Sequence, residues 1–435
     1  MSAAGPARPM PAPTVRTLLL LSIPALLIGV LSALSLWLLD SIAGLLEDAV
    51  WTALPSAIGV DGASGWWIFL VLTVTGAAVG LTVWLLPGHG GPDSATTELV
   101  TAPLPPAVVP SLALTAVLGL AGGVSLGPEN PIIAINASVL VALVARVWKK
   151  VPTELVLLMA ASATIGAMFG TPVAAALVFT GIVAAAPGGG ALWDRLFLPL
   201  VAAAAGSETM TLLAHPQFGV PMPAYTDVHW PDVIAAFVIA TAAALLGVAG
   251  ATVFPTVHRA FHSLRNPLLV SLAGGAVLGL LGVIGGPITL FKGLEQMGQL
   301  IHDRAEYTTL QLVVIVLVKV GALLVAASAG FRGGRVFPAV FIGAAIGLIA
   351  TSLVPGIPLP VAIASGVLGM TVAVARDGWI AIFVALAVTQ SVAVLPIMCL
   401  AVLPAWLVVT RSPQWLIRSR ADADGLATPA LKPTA

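Results

Sequence analysis

The sequence predicts an all-α, polytopic membrane protein. Of its 435 residues, 59% are hydrophobic and only 8% are charged, and the mean hydropathy is +1.07. A soluble fold keeps more charge than this on its surface, and the strands of a β-barrel would alternate rather than run continuously apolar. Gly and Pro interrupt the apolar runs at several places, which predicts broken or re-entrant helices among the spans.

The apolar segments predict helices, and the breaks between them divide the chain. In chain order the predicted helices cover residues 15–46, 66–86, 105–123, 131–148, 155–183 (as two short helices), 192–213, 233–254, 268–284, 291–301 (short and amphipathic), 310–329, 339–353, 360–375, 379–391 and 394–409. Residues 1–13 are predicted to be a disordered tail and residues 418–435 a polar tail. The membrane domain between them, residues 14–417, divides into halves at about 14–214 and 231–417.

Charge and motif content exclude several classes of function. The 18 basic and 18 acidic residues balance, which argues against a nucleic-acid partner. The single Cys399 lies in an apolar run and indicates no disulfide, and no cleavable signal peptide is evident. The sequence contains no HExxH, GxSxG or Walker loop, so an intramembrane enzyme is disfavoured, and no cofactor or metal site is predicted.

The segment around Glu129 carries the strongest indication of function. Glu129 lies between two prolines in Gly127-Pro-Glu-Asn-Pro131, with apolar runs on both sides. An acidic residue at mid-membrane costs ~2.5–3.5 kcal/mol and therefore usually lines a pathway. Proline suits the first turn of a helix, whose free N–H groups attract either this carboxylate or a free anion. The alternative is that Glu129 only caps its own helix.

Similar breaks recur, and the two halves repeat weakly. A Gly-x-x-x-Pro helix start at 127–131 is followed by Ala-Ser at 161–162, and one at 334–338 by Ala-Ser at 364–365. The breaks at 88–92, 127–131, 334–338 and 411–413 each place Gly or Pro before a predicted helix. Several helix N-termini that converge would bind a small anion through partial charges, which allow fast release.

Three of these segments together resemble the CLC family of chloride channels and H+/Cl− exchange transporters. The segments are GHGGP at 88–92, GPENP at 127–131 and GGRVFP at 333–338. They correspond, in this order, to the family signatures GSGIP, G(K/R)EGP and GxFxP. The resemblance covers residues 15–415 and is to a divergent bacterial-type member without regulatory domains. It implies two inverted-topology repeats, a homodimer with one pathway per subunit, and chloride transport in the cell membrane, either voltage-gated or coupled to protons.

The resemblance also assigns roles to residues. Glu129 would be the gating glutamate and proton acceptor. The anion-binding residues would be Gly88, His89, Gly90, Gly91, Pro128, Asn130, Pro131, Arg335, Val336, Phe337 and Trp415. Two of them depart from the family: His89 replaces a serine, and Trp415 is the nearest match to a coordinating tyrosine. No carboxylate lies near 181–182, where the exchangers have an inner proton-transfer glutamate. Two alternatives therefore remain: a channel without proton coupling, and a carrier for another anion such as fluoride or nitrate.

Three further features have weaker interpretations. Lys319 lies inside a predicted span, where a snorkelling or structurally paired lysine is favoured over an ion ligand. His258 and His262 are a helical pair that could bind a metal, but no third ligand is evident and a surface position is favoured. Basic residues near both ends favour cytoplasmic termini; they are Arg8, Arg16, Arg411, Arg418 and Arg420.

Overall fold

The computed structural model describes residues 14–149, 151–185, 191–216 and 218–418. Within these ranges the chain is almost entirely helical, as the sequence predicts. The predicted tail at 1–13 lies outside the described residues, and so does the polar tail beyond Arg418. Nine of the described helices are long and apolar enough to cross a membrane.

The first half consists of α1 to α8. Their bounds are α1 Val15–Asp48, α2 Leu54–Ala57, α3 Gly65–Leu85, α4 Val109–Ala121, α5 Glu129–Val147, α6 Thr153–Phe169, α7 Pro172–Ala185 and α8 Leu192–Ala214. The two short helices predicted within 155–183 are present as α6 and α7. Gly170, at φ +65°, ends α6, because a left-handed residue cannot continue a helix and glycine adopts this conformation without steric cost.

The second half consists of α9 to α16. Their bounds are α9 Trp230–His262, α10 Pro267–Gly285, α11 Leu294–His302, α12 Thr309–Ser328, α13 Val336–Leu353, α14 Leu359–Ala375, α15 Gly378–Thr389 and α16 Leu395–Val409. Helix α9 is longer than predicted. It continues through Pro255 to His262, beyond the predicted end at residue 254.

The two halves pack in the same way, which supports the predicted repeat. In the first half α1 packs on α6 and α8, and α6 packs on α5, α7 and α8. In the second half α9 packs on α14 and α16, and α14 packs on α13, α15 and α16. Helices α3 and α10 join the halves where Gly76 and Gly275 bring the two main chains into contact. Small residues allow this close approach between membrane helices.

Two of the predicted helix starts are correct and two are wrong. Helix α5 begins at Glu129 and α13 at Val336, at the second and third breaks. After the first break, the chain forms only the 3₁₀ turn Ser94–Thr96. After the fourth break, the chain is not helical through Arg418, the last described residue.

Candidate functional site

The carboxylate of Glu129 lies at the N-terminus of α13. Its Oε1 atom accepts hydrogen bonds from the main-chain N–H groups of Val336 and Phe337, both at 3.1 Å. These N–H groups belong to the first turn of α13 and have no acceptor within that helix. Glu129 is 2% exposed. The Glu129 carboxylate, from the start of α5 in the first half, therefore lies at the N-terminus of α13 in the second half, where an anion is favoured.

The second carboxylate oxygen of Glu129 has a different environment. Among the described residues, no hydrogen-bond partner reaches the buried Oε2 atom. A Cβ atom added to Gly127 or to Gly334 would overlap Oε2. Both glycines therefore leave room for the carboxylate, and their lack of side chains is a steric requirement of this arrangement.

Gly127 and Gly334 also pair directly. The N–H of Gly127 donates to the carbonyl of Gly334 at 2.9 Å, and the N–H of Gly334 donates back at 2.7 Å. The pairing is antiparallel, as expected of two halves with opposite topology. The second and third signature segments thus form one structural unit around Glu129.

Asn130 follows Glu129 in the sequence and Arg335 precedes Val336, but neither side chain donates to the Glu129 carboxylate. The guanidinium of Arg335 donates to the carbonyl of Thr97 at 3.1 Å and to the carbonyl of Trp415. The side-chain amide of Asn130 donates to the same Thr97 carbonyl at 3.5 Å. These two residues therefore hold the segment after the first signature against the other two.

The first signature is a loop rather than a helix start. Gly88, His89, Gly90 and Gly91 have φ values of +84°, +50°, +67° and +70°. Four successive left-handed residues cannot begin a right-handed helix, and the three glycines make this conformation accessible. The prediction that this break presents a helix N-terminus is wrong. His89 is exposed, and its Nδ1 atom lies 2.9 Å from the carbonyl of Val83.

Ser94 connects this loop to the third signature, and the sequence reasoning missed it. Its hydroxyl donates to the carbonyl of Phe331 and accepts from the N–H of Gly333, both at 2.8 Å. Ser94 is 3% exposed. Arg332 adds a bond from Nε to the carbonyl of Gly90 at 2.9 Å. The only sequence indication was a serine close behind the first signature in a chain with few polar residues.

Lys319 has a structural role. Its ammonium group is fully buried and donates to the carbonyls of Thr289, Leu290 and Phe291 at 2.9, 2.9 and 2.8 Å. These bonds use all three donors of the ammonium group. The N–H of Phe291 in turn donates to the carbonyl of Gly123 at 2.9 Å. Lys319 therefore fixes the segment that supports the chain leading to Glu129, as the structurally paired interpretation predicts.

Phe337, whose main chain binds Glu129, belongs to a cluster of four aromatic rings. Its ring stacks on Phe169, with ring centroids 6.0 Å apart, and packs on Phe218 at 5.7 Å. Phe169 also contacts Phe383 edge-on at 5.4 Å. The cluster contains residues from both halves. The sequence did not predict it because these residues are far apart along the chain.

Trp415 is buried and its indole donor is engaged. The Nε1–H group donates to the carbonyl of Gly247 in α9 at 2.9 Å. Trp415 is 1% exposed and its ring packs on Phe254. An anion role for this indole, as the family resemblance suggests, would require the bond to Gly247 to break.

Comparisons with known proteins agree with the fold and the signatures. The model of the voltage-gated chloride channel family matches residues 76–410. The chain is 43% identical over 408 residues to a protein named "Putative ion-transport protein YfeO" in Escherichia coli O9:H4 (strain HS), covering 93% of this chain and 96% of that protein. The homologue of the same name in Escherichia coli (strain K12 / DH10B) gives the same values.

Solved structures share the fold at lower sequence identity. A CLC-type fluoride/proton antiporter matches with a TM-score of 0.71 and 19% identity, covering 93% of this chain and 98% of its own. A slow cyanobacterial Cl−/H+ antiporter matches with a TM-score of 0.74 and 16% identity, covering 91% and 95%. The family model, the relatives and the fold agree, and the chain belongs to the CLC family of voltage-gated chloride channels and related transporters.

Proposed function

We propose that this protein moves a small anion, most simply chloride, through a pathway that Glu129 gates. One observation carries the proposal: the Glu129 carboxylate accepts from Val336 and Phe337 at the N-terminus of α13. Such a helix end binds anions without any full positive charge. A transported anion and the Glu129 carboxylate would therefore compete for the same N–H groups.

Protonation of Glu129 would open this gate. A neutral acid is a much weaker acceptor than a carboxylate, and bonds to charged groups contribute roughly 1.5–3 kcal/mol each. Loss of one such bond would shift the equilibrium at the helix end from binding of the Glu129 side chain towards binding of the anion by about tenfold or more. The partner-free Oε2 atom is where the proton would bind, since Oε1 already accepts two hydrogen bonds. Anion movement would then rise as the pH falls.

Two mechanisms fit this gate. In a proton-coupled exchanger, Glu129 carries protons as well as gating the anion; in a channel it only gates. Helix α7 contains the expected position of an inner proton-transfer carboxylate, and its described residues carry none there. This favours a channel or an exchanger whose protons reach Glu129 through water. The solved relatives with the same fold are described as fluoride/proton and Cl−/H+ antiporters, so fluoride is the second candidate anion.

Flux measurements on liposomes test the proposal. The purified protein is reconstituted, and efflux of chloride, fluoride and nitrate is recorded together with internal pH. We expect chloride efflux that increases at low pH, and Glu129→Gln to abolish this pH dependence. Proton uptake driven by the chloride gradient would exclude the simple channel. Absence of flux for all three anions, or a Glu129→Gln protein identical to the wild type, would refute the proposal.

We further propose a homodimer in the cell membrane with one pathway per subunit, both termini in the cytoplasm, and voltage-dependent opening. Family membership supports the dimer, and the basic residues near the two ends support the orientation. Cross-linking in native membranes tests the dimer, and protease access to tags on the two termini tests the orientation. Current recordings across planar bilayers test the response to voltage.

A further inference from the structure

Asp93, His258 and His262 form a cluster outside the Glu129 site. The two histidines are one turn apart near the C-terminus of α9, and Asp93 follows the first signature. The Oδ2 atom of Asp93 lies 3.4 Å from His258 Nε2 and 3.3 Å from His262 Nε2. One potential ligand atom from each residue lies within 4.8 Å of the other two. The fold thus places a third potential ligand, Asp93, beside the histidine pair that the sequence revealed.

Both ring nitrogens of His262 face acceptors. Its Nδ1 atom lies 3.0 Å from the carbonyl of His258, which can only accept, so Nδ1 carries a proton. Its Nε2 atom faces the Asp93 carboxylate, which as an anion can also only accept. A neutral ring would therefore direct the Nε2 lone pair at a carboxylate. Either a second proton or a metal ion at Nε2 removes this repulsion.

Neighbouring groups fix the orientation of Asp93 and His262, in the way that supporting residues fix the ligands of a metal site. A ligating histidine commonly donates its other N–H to a main-chain carbonyl, as His262 does to His258. Asp93 divides its oxygens: Oδ1 accepts from the N–H of Ala95 at 3.1 Å and lies 4.0 Å from the Arg332 guanidinium, while Oδ2 faces the two histidines. Arg259, the other cation on this turn, donates to its own helix and not to the cluster.

We propose that Asp93, His258 and His262 bind a divalent transition-metal ion, with Zn²⁺ as the best-fitting candidate. Zn²⁺ takes imidazole nitrogen and carboxylate oxygen at about 2.0–2.2 Å in a tetrahedron, whose edges are then about 3.3–3.6 Å. The two Asp93–histidine separations match such edges, whereas an ordinary charged hydrogen bond would be shorter. The histidine rings now stack with centroids 3.8 Å apart, and they would splay to direct both Nε2 atoms at the ion. The partly exposed side of His262 leaves a fourth position for water.

Such an ion would link α9 to the loop of the first signature. Asp93 lies next to Ser94, which bonds to Phe331 and Gly333, and Arg332 bonds to Gly90. Metal binding would therefore stiffen the contact between the first and third signatures. This proposal does not depend on the anion or on Glu129, and it can fail or succeed separately from the proposed function.

Thermal unfolding tests the site directly. The full chain is purified without a polyhistidine tag, stripped with a chelator, and titrated with ZnCl₂ in detergent, with MgCl₂ as the comparison. We expect Zn²⁺ but not Mg²⁺ to raise the unfolding midpoint. His262→Ala and His258→Gln should each weaken the apparent Zn²⁺ affinity by more than the roughly 10–100-fold that loss of a supporting residue costs. Co²⁺ should give the visible absorption of a tetrahedral site in the wild type only.

His302→Ala is the matched control. His302 is an exposed histidine 3.9 Å from Asp303, with no third ligand grouped with it among the described residues, so its loss should leave the Zn²⁺ response unchanged. A Zn²⁺ response that survives His262→Ala would show adventitious binding and overturn the proposal. A different contrary result is a wild type that shows no Zn²⁺ response but a pH dependence of stability that the histidine variants remove. That result would mean that the cluster binds only a proton, and it would also overturn the proposal.

Discussion

Gly127 and Gly334 exchange both of their main-chain hydrogen bonds, at 2.9 and 2.7 Å, beside the carboxylate of Glu129. Each glycine belongs to a different half of the chain, so the space that holds the Glu129 carboxylate exists only where the halves meet. Glu129, the first residue of α5, then binds the first turn of α13 in the other half. The geometry of the proposed gate therefore depends on the packing of the two halves against each other.

Gly334→Ala should displace Glu129. A Cβ atom at this position would overlap Oε2, and a flexible side chain yields before a paired main chain does. We expect anion efflux from liposomes to lose its pH dependence, as in Glu129→Gln. Gly119→Ala is the control, because no atom lies within 4 Å of a Cβ placed there. A Gly334→Ala protein with wild-type pH dependence would show that the carboxylate does not need this space.

Ser94→Ala should loosen the link between the first and third signatures. The change leaves the N–H of Gly333 without its acceptor and the carbonyl of Phe331 without its donor. A buried unsatisfied group costs about 1–3 kcal/mol. We expect an unfolding midpoint several degrees lower in detergent and slower anion efflux. Ser56→Ala, on an exposed helical turn, should change neither, and an equal effect of both substitutions would contradict the prediction.

Lys319→Met should destabilise the protein strongly. Methionine fills much of the same volume, but the carbonyls of Thr289, Leu290 and Phe291 lose their shared donor. At about 1–3 kcal/mol for each unsatisfied group, the loss is roughly 3 kcal/mol or more. The measurement is the unfolding midpoint in detergent, and Lys149→Met on the exposed surface is the control. A large change in anion selectivity with an unchanged midpoint would instead indicate that Lys319 binds the ion.

Trp415→Phe should affect stability and not selectivity. The substitution keeps an aromatic ring near Phe254 and removes the N–H that donates to Gly247. A hydrogen bond of this kind contributes about 1 kcal/mol net. We expect a modest fall in the unfolding midpoint and unchanged ratios of chloride, fluoride and nitrate efflux. Altered ratios would show that the indole reaches the anion during transport.

Hydropathy and proline placement were sufficient to predict most of the helices. Continuous apolar runs have few other stable conformations in a bilayer, and Pro128 and Pro131 fit the start of α5. The same reasoning failed at Gly88–Gly91, where helix-breaking residues were interpreted as a helix start. Three closely spaced glycines also permit a left-handed loop, and this loop is held by tertiary contacts that the local sequence does not show, with Ser111 of α4 and with Arg332.

The candidate site was predictable only in part, because its contacts cross between the halves. A carboxylate between two prolines, flanked by apolar runs, was enough to single out Glu129. Nothing in the neighbouring sequence indicated that its partners would be Val336 and Phe337. Ser94 and Asp93 were missed for the same reason, since the sequence does not show that they face residues of the second half.

The segment beyond α16 supplies main-chain acceptors for two arginines. Arg335 donates to the carbonyl of Trp415, which lies 80 residues further along the chain. Arg376 donates to the carbonyls of Val409, Ser412 and Pro413. Both guanidinium groups therefore precede these acceptors in the chain, whereas the other acceptor of Arg335, the carbonyl of Thr97, lies before it. A chain cut short directly after α16 would lack the carbonyls of Ser412, Pro413 and Trp415, so Arg376 and Arg335 would each lose part of the hydrogen bonding that holds this end of the protein together.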